Sequence, residues 1–208
     1  MRFFTTSIFT DIFPDAVKIG MLSSSEIMRH VASKLRQYQA RHIVLDPVMV
    51  STSGHRLMNK DAEETLQKEL FPLAEVITPN IPEAEEITNM KIETVEDMKK
   101  AGKKILDLGP KYVLVKGGHL DGDAVDVLMG EDIFEVFTSE RLDRKNTHGT
   151  GCTLSSAITS HIALGYDVVE AVRLSKIYIT EAIRHSFDIG HGVGPVNHFY
   201  KFEESKIK

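Results

Sequence analysis

Short apolar runs alternate with amphipathic segments along the chain, and this alternation limits the folds open to it. Ala16-Val17-Lys18-Ile19, Ile43-Val44-Leu45, Glu75-Val76-Ile77 and Tyr112-Val113-Leu114-Val115 read as strands. Between and after them, Ser25 to Gln39, Asp61 to Leu70, a segment from about Pro82 and another from about Val95 read as helices. Strands this short and this uniformly apolar are covered on both faces. The pattern predicts an α/β fold of three layers, a mostly parallel sheet with helices on both sides. Ala124 to Met129 and Ile133 to Phe137 flank Gly130-Glu131-Asp132 and read as a hairpin. Two helices follow. The second begins at Asp167 with Glu170 three residues on, a capping-box pattern. No repeat, low-complexity tract or long linker interrupts the 208 residues, so a single domain over 1–208 is expected.

Composition narrows the function. Lys+Arg number 25 against 30 Asp+Glu, a net charge of −5 with no basic stripe, which argues against a nucleic-acid partner. One cysteine rules out an intrachain disulfide and suits a reducing, cytoplasmic location. No apolar run is long enough to span a bilayer, and the first residues lack the apolar core and cleavage site of a signal peptide. No Cys–His cluster has zinc-ligand spacing.

In open α/β sheets, ligands bind beyond the carboxyl ends of the strands. Gly20-Met21-Leu22, Asp46, Asn80 and Lys116-Gly117-Gly118 each lie just past an expected strand. Asn146-Thr147-His148-Gly149-Thr150-Gly151-Cys152-Thr153 opens a helix-period segment. These five segments should converge on one rim.

Glycines at a helix start let the backbone approach a ligand, and the free N–H groups there suit an anion. The same turn carries Cys152, whose thiolate a helix N-terminus would favour. A buried, inert thiol is the plain alternative. An anion cradle beside a titratable group suggests phosphoryl transfer.

Asp46 sits in Leu45-Asp46-Pro47, as a turn opener or as a carboxylate serving magnesium. Asn80 and Glu83 at a helix start fit a capping box, and also an amide and carboxylate orienting magnesium through water. Lys116 before Gly117-Gly118 either ends a strand or neutralises nucleotide phosphates. Ser51-Thr52-Ser53-Gly54 reads as a polar loop that could serve as a flap. Neither a P-loop nor the protein-kinase signature set is present.

Six segments occur in order: Val17-Lys18-Ile19-Gly20-Met21-Leu22, Val44-Leu45-Asp46-Pro47-Val48-Met49, Thr78-Pro79-Asn80-Ile81-Pro82-Glu83-Ala84-Glu85, Val115-Lys116-Gly117-Gly118-His119, His148-Gly149-Thr150-Gly151-Cys152-Thr153 and Gly194-Pro195-Val196-Asn197-His198. Together they resemble the hydroxymethylpyrimidine/phosphomethylpyrimidine kinases of thiamine biosynthesis, which have a ribokinase-like fold. The resemblance runs from about Asp11 to about Tyr200.

It implies ATP-dependent phosphorylation of 4-amino-5-hydroxymethyl-2-methylpyrimidine, then of its monophosphate, at one site. Gly149, Thr150 and Gly151 would form the anion hole. Cys152 would be, or stand near, the base for the substrate hydroxyl. Lys116, with Gly117 and Gly118, would face ATP phosphates. Asn80 and Glu83, with Asp46 as a further candidate, would serve Mg2+, and Gly20 and Met21 would contact the pyrimidine. Such kinases commonly form dimers, so a homodimer is an open expectation.

The resemblance also implies that the chain begins inside the helix before the first strand seen here. The family's earlier strands and half of the substrate pocket would then be missing, and an N-terminally truncated fold is expected. A pyridoxine/pyridoxal kinase is the alternative within enzymes, and a non-catalytic nucleotide-binding remnant is the alternative outside them.

Overall fold

The computed structural model of the chain describes residues 2–49, 57–118 and 123–204; the Ser51–Gly54 segment and His119 lie outside them. One sheet runs β1 (Val17–Ile19), β2 (Ile43–Leu45), β3 (Val76–Ile77), β4 (Tyr112–Lys116), β5 (Ala124–Met129) and β6 (Phe134–Ser139), with strand order equal to chain order. β1 to β4 are parallel, and β5 and β6 form the expected antiparallel hairpin. The helices are α1 (Arg2–Asp11), α2 (Ser25–Gln37), α3 (Lys60–Thr65), α4 (Ile81–Thr88), α5 (Val95–Leu106), α6 (Thr150–Ala163), α7 (Val168–Arg184) and α8 (Tyr200–Glu204).

This strand order explains how the layers divide. Each parallel connection steps to the next strand in the same direction, and crossovers share one hand, so the connecting helices fall on one face. Met28 and Ala32 of α2, Ala84 of α4 and Met98 and Ile105 of α5 pack there against Ile43, Leu45, Ile77, Val113 and Val115. The alternate strand residues Val44, Val76, Leu114 and Leu128 point the other way, as a period of two requires. They are covered by Leu154, Ile158 and Ile162 of α6 and by Ala171, Val172 and Ile179 of α7. The strands are therefore apolar on both faces because both faces are sealed.

Two local expectations are corrected. The helix expected over Asp61 to Leu70 is α-helical only to Thr65. It widens into a π-turn over Leu66–Leu70 and ends in a 3-10 turn over Phe71–Leu73. The wide turn, closed by the Phe71 N–H on the Leu66 carbonyl, sends Leu66, Leu70 and Phe71 into the same core, and Pro72 then stops the helix. At α7 the Asp167 side chain accepts the Glu170 N–H (2.9 Å), but the return half of the box goes to another partner. The Glu170 carboxylate is held by Arg173 (Nε to Oε2, 2.7 Å), and a charged, forked donor outcompetes a single backbone N–H.

Leu114 is fully buried at the centre of this arrangement. Leu114→Ala is expected to lower unfolding free energy by about 3 kcal/mol, through lost burial plus the cavity left behind. Urea denaturation checks this; a change below about 1 kcal/mol would mean that α6 and α7 close onto the gap.

Candidate active site

The parallel ladder continues past the strands as single backbone bonds, and these align the residues at the rim. The Asp46 N–H bonds the Ile19 carbonyl (2.9 Å), the Thr78 N–H bonds Leu45 (3.0 Å) and the Lys116 N–H bonds Pro79 (2.8 Å). An isolated bridge then sets Asn80 beside Lys116. Asp46, Thr78, Asn80 and Lys116 thus stand side by side where β2, β3 and β4 end.

Asp46, 2% exposed, is the hub. Its Oδ1 receives the Lys116 Nζ (3.0 Å) and the Thr78 hydroxyl (3.1 Å), and its Oδ2 lies 3.3 Å from the Ser155 hydroxyl of α6, which shares its one proton with the Gly151 and Cys152 carbonyls (both 3.1 Å). A buried carboxylate needs this many donors, because a lone charge here would be strongly disfavoured. Three elements distant in sequence are thereby pinned to one point.

Asn80 caps α4 in a complete box: its side chain accepts the Glu83 N–H (2.9 Å) and Glu83 Oε2 accepts the Asn80 N–H (2.8 Å). The capping reading therefore holds, and it does not exhaust Glu83. Burial pushes the Glu83 carboxyl up to about 7, against the opposing charge of Lys116 and the Asn80 N–H and with the added repulsion of Asp46. The shift is set by burial, since the attraction of Lys116 outweighs the repulsion of Asp46.

Opposite this cluster, α6 begins at Gly149, which is left-handed (φ 82°) and carries no side-chain cap. A serine or aspartate at such a position would occupy the first-turn donors; glycine leaves them open. The Thr150 N–H turns back to Thr147 (3.3 Å), so Gly151 and Cys152 supply the outward-facing N–H groups. A Cβ on Gly151 would lie 3.3 Å from the Lys116 Nζ, so the ammonium and the helix start meet at one place. Cys152, the free cysteine, is exposed in this first turn, which sets aside the buried reading of its thiol. The turn is braced from behind. The buried Asn146 side chain accepts the Gly194 N–H (2.9 Å) and donates to Asp188 (2.7 Å), and the His148 N–H bonds the Gly194 carbonyl (3.1 Å).

Gly117 does not offer a matching donor. The Gly117 N–H is taken by Asp126 Oδ1 (3.0 Å), and Gly117 is buried against the β5 backbone, where a Cβ would sit 2.0 Å from the Val125 carbonyl oxygen. Gly118 is exposed, and its carbonyl accepts from Arg141 (2.8 Å). Gly20 follows β1 at the same edge of the sheet, and Met21 is 55% exposed there. Thr78, Ser155, Asp126 and Lys176 were not singled out from sequence. Thr78 lies within a quoted segment, but nothing local marks the other three.

Comparison with known proteins places the chain in a family. The family model described as phosphomethylpyrimidine kinase matches residues 3–197. The chain belongs to the phosphomethylpyrimidine kinase family. It is 47% identical over 199 residues to the thiamine biosynthesis bifunctional protein ThiED of Geobacter sulfurreducens, covering 95% of this chain and 41% of that protein. The crystal structure of phosphomethylpyrimidine kinase from Clostridium difficile 630 superposes with a TM-score of 0.77 at 58% identity, over 86% of this chain and 73% of the other. A Bacillus subtilis pyridoxal kinase, solved as an ADP complex, superposes with a TM-score of 0.88 at 39% identity, over 96% and 75%. The chain thus spans less than half of the bifunctional relative and about three quarters of the two solved structures. The fold is that of ribokinase-like kinases, as expected from sequence.

The raised Glu83 carboxyl has a stability consequence. A proton bound more tightly in the folded than in the unfolded chain stabilises the fold below the unfolded value of 4.5, and that contribution is lost as pH rises through about 7. Wild-type stability should therefore fall between about pH 5 and about pH 8 relative to Glu83→Gln, by up to about 3 kcal/mol. Urea midpoints of the two proteins across this range check it; parallel profiles would show that the carboxyl titrates normally.

Proposed function

We propose that the chain transfers a phosphoryl group from ATP to the hydroxymethyl group of 4-amino-5-hydroxymethyl-2-methylpyrimidine, and then to its monophosphate. The observation that carries this reading is the meeting of the Lys116 ammonium with the uncapped start of α6. Phosphoryl transfer needs little covalent chemistry from a protein. It needs positioning, and positive potential where charge develops on the transferred group.

The N–H groups of Gly151 and Cys152, with the glycine turn at Gly149 and Thr150, cradle the transferred group. Lys116 faces the phosphates of ATP. Cys152 Sγ accepts the proton that the substrate hydroxyl loses as its oxygen attacks. Oxygen donors here suit Mg2+: Asp46 Oδ1 already takes Lys116 and Thr78, while Glu83 stands buried beside Asn80 with its carboxyl raised by burial. Magnesium keeps most of its waters and takes phosphate oxygens as ligands, so one carboxylate acting directly or through water is enough. When bound, the ion would neutralise phosphate charge. Met21 packs on the pyrimidine face at the end of β1.

A second reading has a specific observation behind it, the 0.88 superposition with a pyridoxal kinase. Pyridoxal, like the pyrimidine, is a heteroaromatic ring bearing a hydroxymethyl group. Turnover of both compounds with Mg-ATP separates the two: kcat/KM at least about tenfold higher for the pyrimidine supports the first reading, and the reverse supports the second.

Cys152→Ala is expected to lower kcat by at least about a hundredfold, the usual scale for losing a positioned base, with ADP affinity little changed. Steady-state assay together with calorimetric ADP titration checks this. Equal losses in both would make Cys152 a packing residue of the turn.

A further inference from the structure

Behind the rim lies a buried ion pair that the reaction itself does not use. Asp126 on β5 and Lys176 on α7 are each less than a tenth exposed, and the Lys176 Nζ lies 2.6 Å from Asp126 Oδ2 and 2.9 Å from the Ala124 carbonyl oxygen. The other carboxylate oxygen, Oδ1, takes the Gly117 N–H.

The register gives this pair its meaning. Asp126 stands directly opposite Lys116 across the antiparallel β4–β5 ladder. Directly opposed residues share a face of the sheet, with Cβ atoms about 5 Å apart, and opposite charges so placed attract. Here they do not pair. Lys116 goes to Asp46 at 3.0 Å, and Asp126 goes to Lys176. Lys176 supplies the positive charge that Asp126 would otherwise take from Lys116.

We infer that the Asp126–Lys176 pair is a positioning device for the Lys116–Gly117 turn. Lys176 neutralises Asp126 and so leaves the Lys116 ammonium free to reach forward to Asp46 and the start of α6. Asp126, held in place by Lys176, anchors the Gly117 N–H and draws that backbone flat onto β5. Both are positioning residues, because they reach the nucleotide only through Lys116 and Gly117. The inference rests on the nucleotide-facing reading of that turn proposed above.

Three variants test it: Lys176→Met, Asp126→Asn with Lys176→Met, and Asp126→Leu with Lys176→Met. Mg-ADP affinity is measured by calorimetry, thermal midpoint by calorimetric scan, and exchange of the Gly117 amide by NMR. The Asn/Met protein carries no competing charge and keeps an acceptor for Gly117, so it should bind Mg-ADP within about threefold of wild type. The Leu/Met protein is equally neutral but has no acceptor. Its Gly117 amide should exchange faster, and its affinity should drop at least about tenfold at a similar midpoint. Lys176→Met, if it folds, should also bind more weakly, because Asp126 recaptures Lys116. If it does not fold, the two double variants decide. Equal affinity in the two double variants overturns the inference while leaving the active-site reading intact. A wild-type chain that binds no Mg-ADP overturns the nucleotide reading itself, whereas the exchange rates still report whether Asp126 anchors Gly117.

Discussion

The site hangs on one partly buried contact, the Lys116–Asp46 ion pair. β2 has three residues, β3 two and β4 five, too little ladder to align their ends firmly by backbone bonds alone. The side chains beyond the strands complete the alignment. Asp46 gathers Lys116 from β4, Thr78 from the end of β3 and Ser155 from α6, so strand ends and the covering helix share one register. Burying two charges is costly, and removing one partner commonly costs more than the pair contributes. A fold that tolerates this at its rim gains a lysine whose position is determined rather than averaged over rotamers.

The same logic runs through the start of α6. A helix whose only purpose is to cover a sheet is most stable with serine, threonine, aspartate or asparagine at its N-cap, and five other helices here have one: Ser24 on α2, Asn59 on α3, Asn80 on α4, Thr94 on α5 and Asp167 on α7. Only at Gly149, among the helices just compared, does a glycine in the left-handed region stand in that place. What the helix forgoes in capping, it keeps as unspent N–H donors. Bracing by Asn146 and Gly194 compensates by fixing the turn from the outside, where it does not compete for those donors.

How legible this was in sequence depends on the range of the interaction. Strand positions, the β5–β6 hairpin and the layer order followed from periodicity, because the period of two and the apolar runs are local consequences of burial on both faces. The Asn80–Glu83 box was legible for the same reason, being closed within three residues. Where local signals competed, they misled: Glu170 matched a capping box and went to Arg173, and the helix expected over Asp61 to Leu70 became a π-turn from Leu66 on. The partners that make the site were not legible. Asp46 meets Lys116 across 70 residues and Ser155 across 109, and Lys176 meets Asp126 across 50. Nothing in the composition near Ser155 or Lys176 marks either as polar groups facing a rim or a strand; only the strand order brings them there. Gly117 shows the converse. It was expected, with Lys116 and Gly118, to face ATP phosphates, and the structure gives a separate reason for glycine there: the β5 backbone leaves no room for a Cβ.

On the function proposed above, charge at the rim would couple protons to cations. Lys116 is shared with Asp46, and Glu83 stands buried beside them with its carboxyl raised to about 7. Near neutral pH this group is therefore poised between two states, neutral with a proton or ionised with some other positive charge nearby. On the function proposed above, a nucleotide triphosphate brings in further negative charge, which raises the cost of ionising Glu83 still more. Glu83 would be held ionised by a divalent cation brought with the nucleotide, which would supply the charge that the proton had supplied. Cation and proton would then compete for one buried carboxylate. The N-cap geometry of α4 keeps that carboxylate aimed in either state, since the Asn80 N–H bond needs only an oxygen acceptor and both forms of Glu83 provide one.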